Sequence, residues 1–227
     1  MSRVEARLEA AQALLGHAFA RPELLAEALT HRSAAGARGV GSNERLEFVG
    51  DRVLGLVVAE WLIERFPKEQ EGKMGLRLAA LVSKPALAAV AEMHGVGAML
   101  NIARGEIKRG VAGQATVLAD ALEAMIGALY LDAGLEAARM FIRRVMEDVI
   151  ERQAIPPKDP KTALQEWVLA RALPLPEYVV ETTDGPGHAP SFTISVQVGA
   201  ALGRGMAGSK RAAEQKAARN LLEALGK

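Results

Sequence analysis

"SNERLEFVGDRVLGLVVAEWL", Ser42 to Leu62, is the stretch whose reading decides the fold. Its apolar residues recur at helical spacing, yet Glu44, Glu47 and Asp51 interrupt them. At about 100° per residue, Glu47 and Asp51 project within ~40° of each other, and Leu54 and Val58 continue the same stripe. Arg45 and Arg52 fall on roughly the opposite face. Like charges four apart cost a helix roughly 0.2–0.5 kcal/mol, and partial burial raises that sharply. The pattern therefore predicts that something cationic outside this helix offsets its acids.

Outward from this segment, helical spacing runs from Ser2 to Arg152, with breaks at "HAFARPE", "THRSAAGARGVGSN", "RFPKEQEGKMG" and "ARGEIKRGVAGQ". These read as connections among seven helices, with no period-two run. "ERQAIPPKDP", Glu151 to Pro160, combines paired prolines with charge and reads as a linker. Beyond it, "KTALQEWVLARAL" is a short amphipathic helix with Leu164, Trp167 and Val168 on one side. "PEYVVETT" and "SFTISVQVG" read as strands, with a third near "ALGRGMAG". "SKRAAEQKAARNLLEAL" closes as a helix with Ala213, Ala217, Leu221 and Ala224 inward. The expected organisation is an all-α domain over 1–152, a linker at 153–159, and a small α-β-β-β-α domain over 160–227.

Composition narrows the function. With 227 residues and no cysteine, the chain has neither a disulfide framework nor thiolate metal ligands, and a reducing cytoplasmic setting is expected. The amino-terminal residues lack the apolar centre of a signal peptide, and no apolar run approaches the ~20 residues that span a bilayer, so no membrane partner is expected. The net charge is +1, split as 19 basic against 20 acidic residues up to Arg152 and 9 against 7 after it. Any nucleic acid must therefore meet local patches. Aromatics at 4% are too sparse for a platform that stacks single strands.

A second acidic pair lies in "LADALEAMIGALYLDAG", where Asp120 and Glu123 share a face that continues through Ala124, Gly127, Ala128 and Leu131. Small residues there let another helix approach, so the two acidic helices can cross and pool Glu47, Asp51, Asp120 and Glu123. Solvated surface acids are the ordinary alternative. Against it, the acid stripes run into apolar ones and the neighbouring arginines are expected to point away. Oxygen-only ligands suit Mg²⁺ or Mn²⁺ better than zinc, and such an ion suits metal-assisted phosphodiester hydrolysis. His31 reads as a hydrogen-bonding loop residue, and "GARGVG" lacks the strand and the Gly-Lys-Ser/Thr of a phosphate loop.

With these motifs in place, the sequence resembles bacterial ribonuclease III. "NERLEFVGDRVL" is similar to that family's signature segment, "LADALEAMIGALYLDAG" to its second acidic helix, and the α-β-β-β-α tail to a double-stranded-RNA-binding domain. The resemblance implies an all-α endonuclease domain that acts as a homodimer and hydrolyses double-stranded RNA with Mg²⁺, Mn²⁺ substituting. It further implies 5′-phosphate and 3′-hydroxyl ends with short 3′ overhangs, and processing of ribosomal RNA precursors and other structured transcripts. On the same ground Glu47, Asp51, Asp120 and Glu123 match metal-binding acids, with Asp51 and Glu123 catalytic. Glu44, Glu71 and Glu106 match supporting acids. Phe48 matches an aromatic plug that enters the partner subunit, with core packing as its alternative.

In the tail the resemblance implies RNA contacts by Gln165, His188 with its "GPGH" loop, Ser209, Lys210 and Arg211. Ser209 can cap its helix, whose free N–H groups then face phosphate beside two cations. There are departures from the family: Ser42 where many relatives have histidine, Arg52 where a small residue is common, a less basic "GEIKRGVAGQATV", and Glu214 where a third lysine is frequent. A catalytically silent RNA-binding homodimer of the same fold is the main alternative. A hydrolase of small phosphorylated compounds is a more distant one.

Overall fold

The computed structural model describes residues 3–36, 41–152, 159–185 and 190–226. The chain divides into two compact units, split between residues 157 and 158. In the first, α1 (Arg3–Leu15), α2 (Pro22–Ala28), α3 (Glu44–Arg65), α4 (Glu71–Leu81), α5 (Lys84–Met93), α6 (Val96–Met99), α7 (Arg104–Lys108) and α8 (Ala115–Glu151) follow one another. Two of the expected connections contain helices: "RFPKEQEGKMG" holds the start of α4, and "ARGEIKRGVAGQ" holds α7. "LAALVSKPALAAV", apolar on both sides of its Ser-Lys-Pro, is divided at Ser83. Its hydroxyl accepts the Ala86 N–H at 3.4 Å, and Pro85 lies in the first turn, so α5 begins anew.

The core of this unit is the packing of α3 and α5 on α8. Leu54, Val57, Val58 and Leu62 of α3 and Leu87, Val90 and Ala91 of α5 are buried with Leu122, Met125, Ile126 and Leu129 of α8. Gly134, at φ 83°, bends α8, because that backbone conformation belongs to glycine and ends the regular helix. Asp132 just before it accepts the Ala20 and Arg21 N–H groups at 3.0 Å each, pinning the approach to α2. Arg77 of α4 is 1% exposed, an unusual place for a guanidinium. It is held by Glu69 at 2.8 and 2.7 Å and lies 3.7 Å above the Phe66 ring, so its burial is paired and stacked.

In the second unit α9 (Pro160–Leu169) precedes β1 (Glu177–Asp184), β2 (Ser191–Val198) and β3 (Ala201–Ala207), then α10 (Lys210–Ala224). The strands form an antiparallel sheet in the order β1-β2-β3. Asp159 caps α9 by accepting the Lys161 and Thr162 N–H groups. Leu164 and Val168 are buried with Val196, Val198, Ala217, Ala218 and Leu221, and Trp167 packs against them half-buried. In β3, a Cβ on Gly203 would fall 2.5 Å from the Ala217 carbonyl oxygen, so glycine lets α10 lie directly on the strand. The expected inward stripe of α10 is corrected at its end: Ala218 is buried, whereas Ala224, the last residue of the helix, is exposed. Residues 153–158 of the expected linker and the "GPGH" segment after Gly185, His188 included, lie outside the described residues.

Candidate functional site

α3 and α8 cross where each carries a glycine. A Cβ on Gly50 would sit 1.8 Å from the Glu123 carbonyl oxygen, so the backbones touch. That contact puts the acid one turn before Gly50 beside the acid one turn before Gly127. Carboxylate oxygens of Glu47, Asp120 and Glu123 lie within 4.8 Å of one another. Glu123 is only 6% exposed, whereas Glu47 and Asp120 are half-buried. Burial, then the negative charges of Asp51, Glu47 and Asp120, push the Glu123 carboxyl up to about 7. Glu47 is raised as well, by burial first and then by Asp120.

A side-chain counter-charge comes from Lys84, at the start of α5. Its Nζ donates to Asp120 Oδ1 at 2.6 Å, and its charge opposes the rise at both Glu47 and Glu123. The fourth acid stands apart. Asp51 is not one of the three whose oxygens converge, and its Oδ2 accepts from Arg52 Nη1 at 2.9 Å. This corrects the expectation that Arg52 points away. One position along the helix is about 100° around it, a separation that a long flexible side chain can span. Arg52 does so across Phe48, donating to the Phe48 carbonyl oxygen at 3.0 Å and stacking 3.9 Å from its ring. Asp51 is nevertheless near enough for its charge to be felt at Glu123.

A cleft of about 350 Å³ is lined by Glu47 and Asp120, but not by the more buried Glu123, together with His31, Asn43, Glu44, Glu106, Gln114 and Thr116 among others. Glu44 accepts from Ser42 Oγ at 2.7 Å, and Glu106 pairs with Arg109 at 3.1 Å. Glu71 opens α4, exposed and outside the lining of this cleft. His31 binds the Ser33 hydroxyl at 2.8 Å and accepts the Ser33 N–H, the hydrogen-bonding loop role read from its surroundings. Phe48 is 61% exposed, which removes packing in this chain's own core as its role.

On the second unit, Gln165 of α9 and Lys210 and Arg211 of α10 line one open cleft with Asp159, Lys161 and Glu214. Ser209 caps α10, accepting the Ala212 N–H at 3.3 Å. Glu214 pairs with Lys161 at 2.5 Å, so this acid neutralises a lysine of α9 while Lys210 and Arg211 remain at the helix start.

The chain is similar to known proteins over most of its length. Residues 21–149 match the Ribonuclease-III-like family, and residues 160–225 match the double-stranded RNA binding motif. Ribonuclease 3 of Dinoroseobacter shibae is 49% identical over 92% of this chain and 91% of its own length. The chain belongs to the ribonuclease III family. Ribonuclease 3 of Rhodobacter capsulatus is 46% identical over 98% of both chains. The nuclease domain of ribonuclease III from Campylobacter jejuni superimposes with a TM-score of 0.59 at 38% identity, covering 62% of this chain and 96% of that one.

As a ribonuclease III, the chain is an endoribonuclease with a helical nuclease domain followed by a double-stranded-RNA-binding motif. Its three convergent carboxylates are an oxygen-only donor set of the kind that suits a hard divalent cation. Two neighbours of the site escaped the sequence reading. Lys84 lies 36 residues from Asp120, and only contact in the folded chain relates them. Gly50 carries no signal within its own helix, because its role lies in the close approach of Glu123 from α8. Among the described residues no single helix is long and apolar enough to cross a membrane.

Proposed function

We propose that this ribonuclease III is a Mg²⁺-dependent homodimer that cuts double-stranded RNA, leaving 5′-phosphate and 3′-hydroxyl ends with short 3′ overhangs. The convergence of Glu47, Asp120 and Glu123 oxygens within 4.8 Å carries this reading. These three acids hold the ion, with Mn²⁺ able to substitute. Bound there, it supplies Lewis-acid stabilisation of charge on the phosphate and a nucleophile from water. Glu123 and Asp51 are the catalytic acids: Glu123 must lose its proton before it can serve as a ligand, and Asp51, free of Arg52, turns toward the same pocket. Glu44 and Glu106, which line the adjacent cleft, orient water or the RNA backbone, with Glu71 a more remote supporting acid.

The exposed Phe48 ring enters a second copy of the chain, so that dimerisation and the acids beside it are linked through one helix. The Campylobacter jejuni nuclease domain is described as flexible in a region involved in dimer formation, which fits a contact of this kind. Residues 1–152 form the cutting and dimerising part and residues 160–227 the RNA-holding part. There Gln165, Ser209, Lys210 and Arg211, with His188, meet the minor groove and phosphates of a duplex, which is recognised by shape and backbone. Ribosomal RNA precursors and other structured transcripts in the cytoplasm are the substrates this chemistry suits.

The deciding experiment incubates the full chain with long double-stranded RNA, with Mg²⁺ and with chelator, and sediments the protein in parallel. Cleavage into short 5′-phosphorylated duplexes only with Mg²⁺, by a dimer, is expected. Binding without cleavage would instead favour the silent RNA-binding homodimer. Cleavage unaffected by chelation would overturn the metal assignment.

A further inference from the structure

Lys84 sits where a lysine is a local disadvantage. It is the first residue of α5, where a positive charge opposes the helix dipole at a cost of roughly 0.3–1 kcal/mol. Its Nζ is nonetheless 2.6 Å from Asp120 Oδ1, and Asp120 is one of the three acids whose oxygens converge. The oxygens of Glu47 and Glu123 lie within 4.8 Å of that of Asp120, so the ammonium faces a cluster of acids and not one carboxylate alone. The side chain is 52% exposed, so it can leave Asp120 for solvent without disturbing the core. A lysine is a compact point charge on a flexible stem, able to make such a move.

We propose that Lys84 is a tethered counter-ion that competes with the divalent cation for Asp120 and thereby sets how much cation the site requires. This rests on the metal-centre reading above. In the metal-free protein those of the three acids that are ionised repel one another within 4.8 Å, and Lys84 relieves that repulsion from outside the helix pair. The same ammonium must give way when a cation of higher charge takes the Asp120 oxygen. Lys84 is therefore a positioning residue, and the Arg52 and Asp51 pair differs from it in lying on one helix and outside the convergent three.

The test is a calorimetric Mn²⁺ titration of the full chain without RNA, comparing wild type, Lys84→Met, Lys84→Arg and Glu123→Ala. Lys84→Met should bind Mn²⁺ about tenfold more tightly, the order expected from removing one nearby like charge at the surface of a protein. Lys84→Arg, which keeps the charge, should stay close to wild type. Without metal Lys84→Met should melt at a lower temperature than wild type, and saturating Mn²⁺ should close that gap. An affinity of Lys84→Met equal to or weaker than wild type would overturn the competition. If wild type binds Mn²⁺ no better than Glu123→Ala, the metal centre itself is wrong, and the role of Lys84 falls with it.

Discussion

Gly50 of α3 and Gly127 of α8 meet backbone to backbone: a Cβ on Gly127 would lie 3.0 Å from the Gly50 nitrogen and 2.2 Å from the Leu46 carbonyl oxygen. Neither atom belongs to a flexible side chain that could move aside. The crossing therefore sets the separation between the acids of the two helices, and a packing feature becomes a property of the site.

Gly50→Ala tests this link. In an open helix, alanine would gain up to ~1 kcal/mol over glycine. Here the methyl meets the Glu123 carbonyl, and overpacking against fixed backbone costs about 1–3 kcal/mol or more. The expected net result is a loss of about 2 kcal/mol in chemical denaturation, with cleavage falling further than stability explains because Glu123 moves relative to Glu47. Gly75→Ala in α4, where a Cβ meets nothing within 4 Å, should be neutral or slightly stabilising. Equal behaviour of the two variants would mean that the close approach does not constrain the helices.

What could be read from the sequence follows from how local each signal is. Glu47 and Asp120 announce themselves because helical periodicity places each on a face beside apolar or small residues. The partner of Asp120 cannot be read so, because Lys84 is brought to it only by the packing of α5 on α8. Arg52 misled for a different reason. Angular position around a helix describes the Cβ, and a guanidinium several bonds away folded back over Phe48 to reach Asp51. The division at Ser83 does carry a local signal, a capping hydroxyl followed by Pro85, but helical apolar spacing on both sides of it makes the two helices easy to join.

The raised Glu123 carboxyl makes metal-free stability depend on pH in a set direction. Its folded pKa is about 7 against an ordinary value of 4.5. Between those values the folded chain holds a proton that the unfolded chain has lost, so stability falls as pH rises through that window. Thermal melts in chelator should show a midpoint that drops from weakly acid to neutral pH, and Glu123→Gln should flatten that drop. Mn²⁺ binding should run the opposite way, strengthening toward and above pH 7 as the ligand loses its proton. A chelated protein whose midpoint rises over this range would contradict the buried, protonated state of Glu123.

Asp51→Asn separates ligation from chemistry. The amide retains the shape and loses the charge that helps raise Glu123. If Asp51 is catalytic, cleavage should fall by at least about 100-fold, the lower end for losing a positioned acid or base. Mn²⁺ binding should survive, because the three convergent oxygens are untouched, and its pH midpoint should move down as Glu123 is relieved of a neighbour. Near-normal cleavage in saturating Mg²⁺ would confine the essential chemistry to Glu47, Asp120 and Glu123.

Lys210 and Arg211 should act on phosphates and not on bases. They begin α10, where the Ser209 hydroxyl takes the Ala212 N–H and the helix dipole adds its positive end to theirs. Glu214 is already paired with Lys161, so it does not cancel them directly. Replacing both by Ala should weaken binding to unrelated RNA duplexes about equally. It should also flatten the slope of log affinity against log salt by up to ~2, if each contact releases about one counter-ion as on DNA. Preference between sequences should not move, because phosphate contacts position the duplex without reading it. The measurement is a salt titration with two duplexes of different sequence, in Ca²⁺ to suppress cleavage. A loss confined to one duplex would show that these side chains read bases, and an unchanged slope would show that they face solvent.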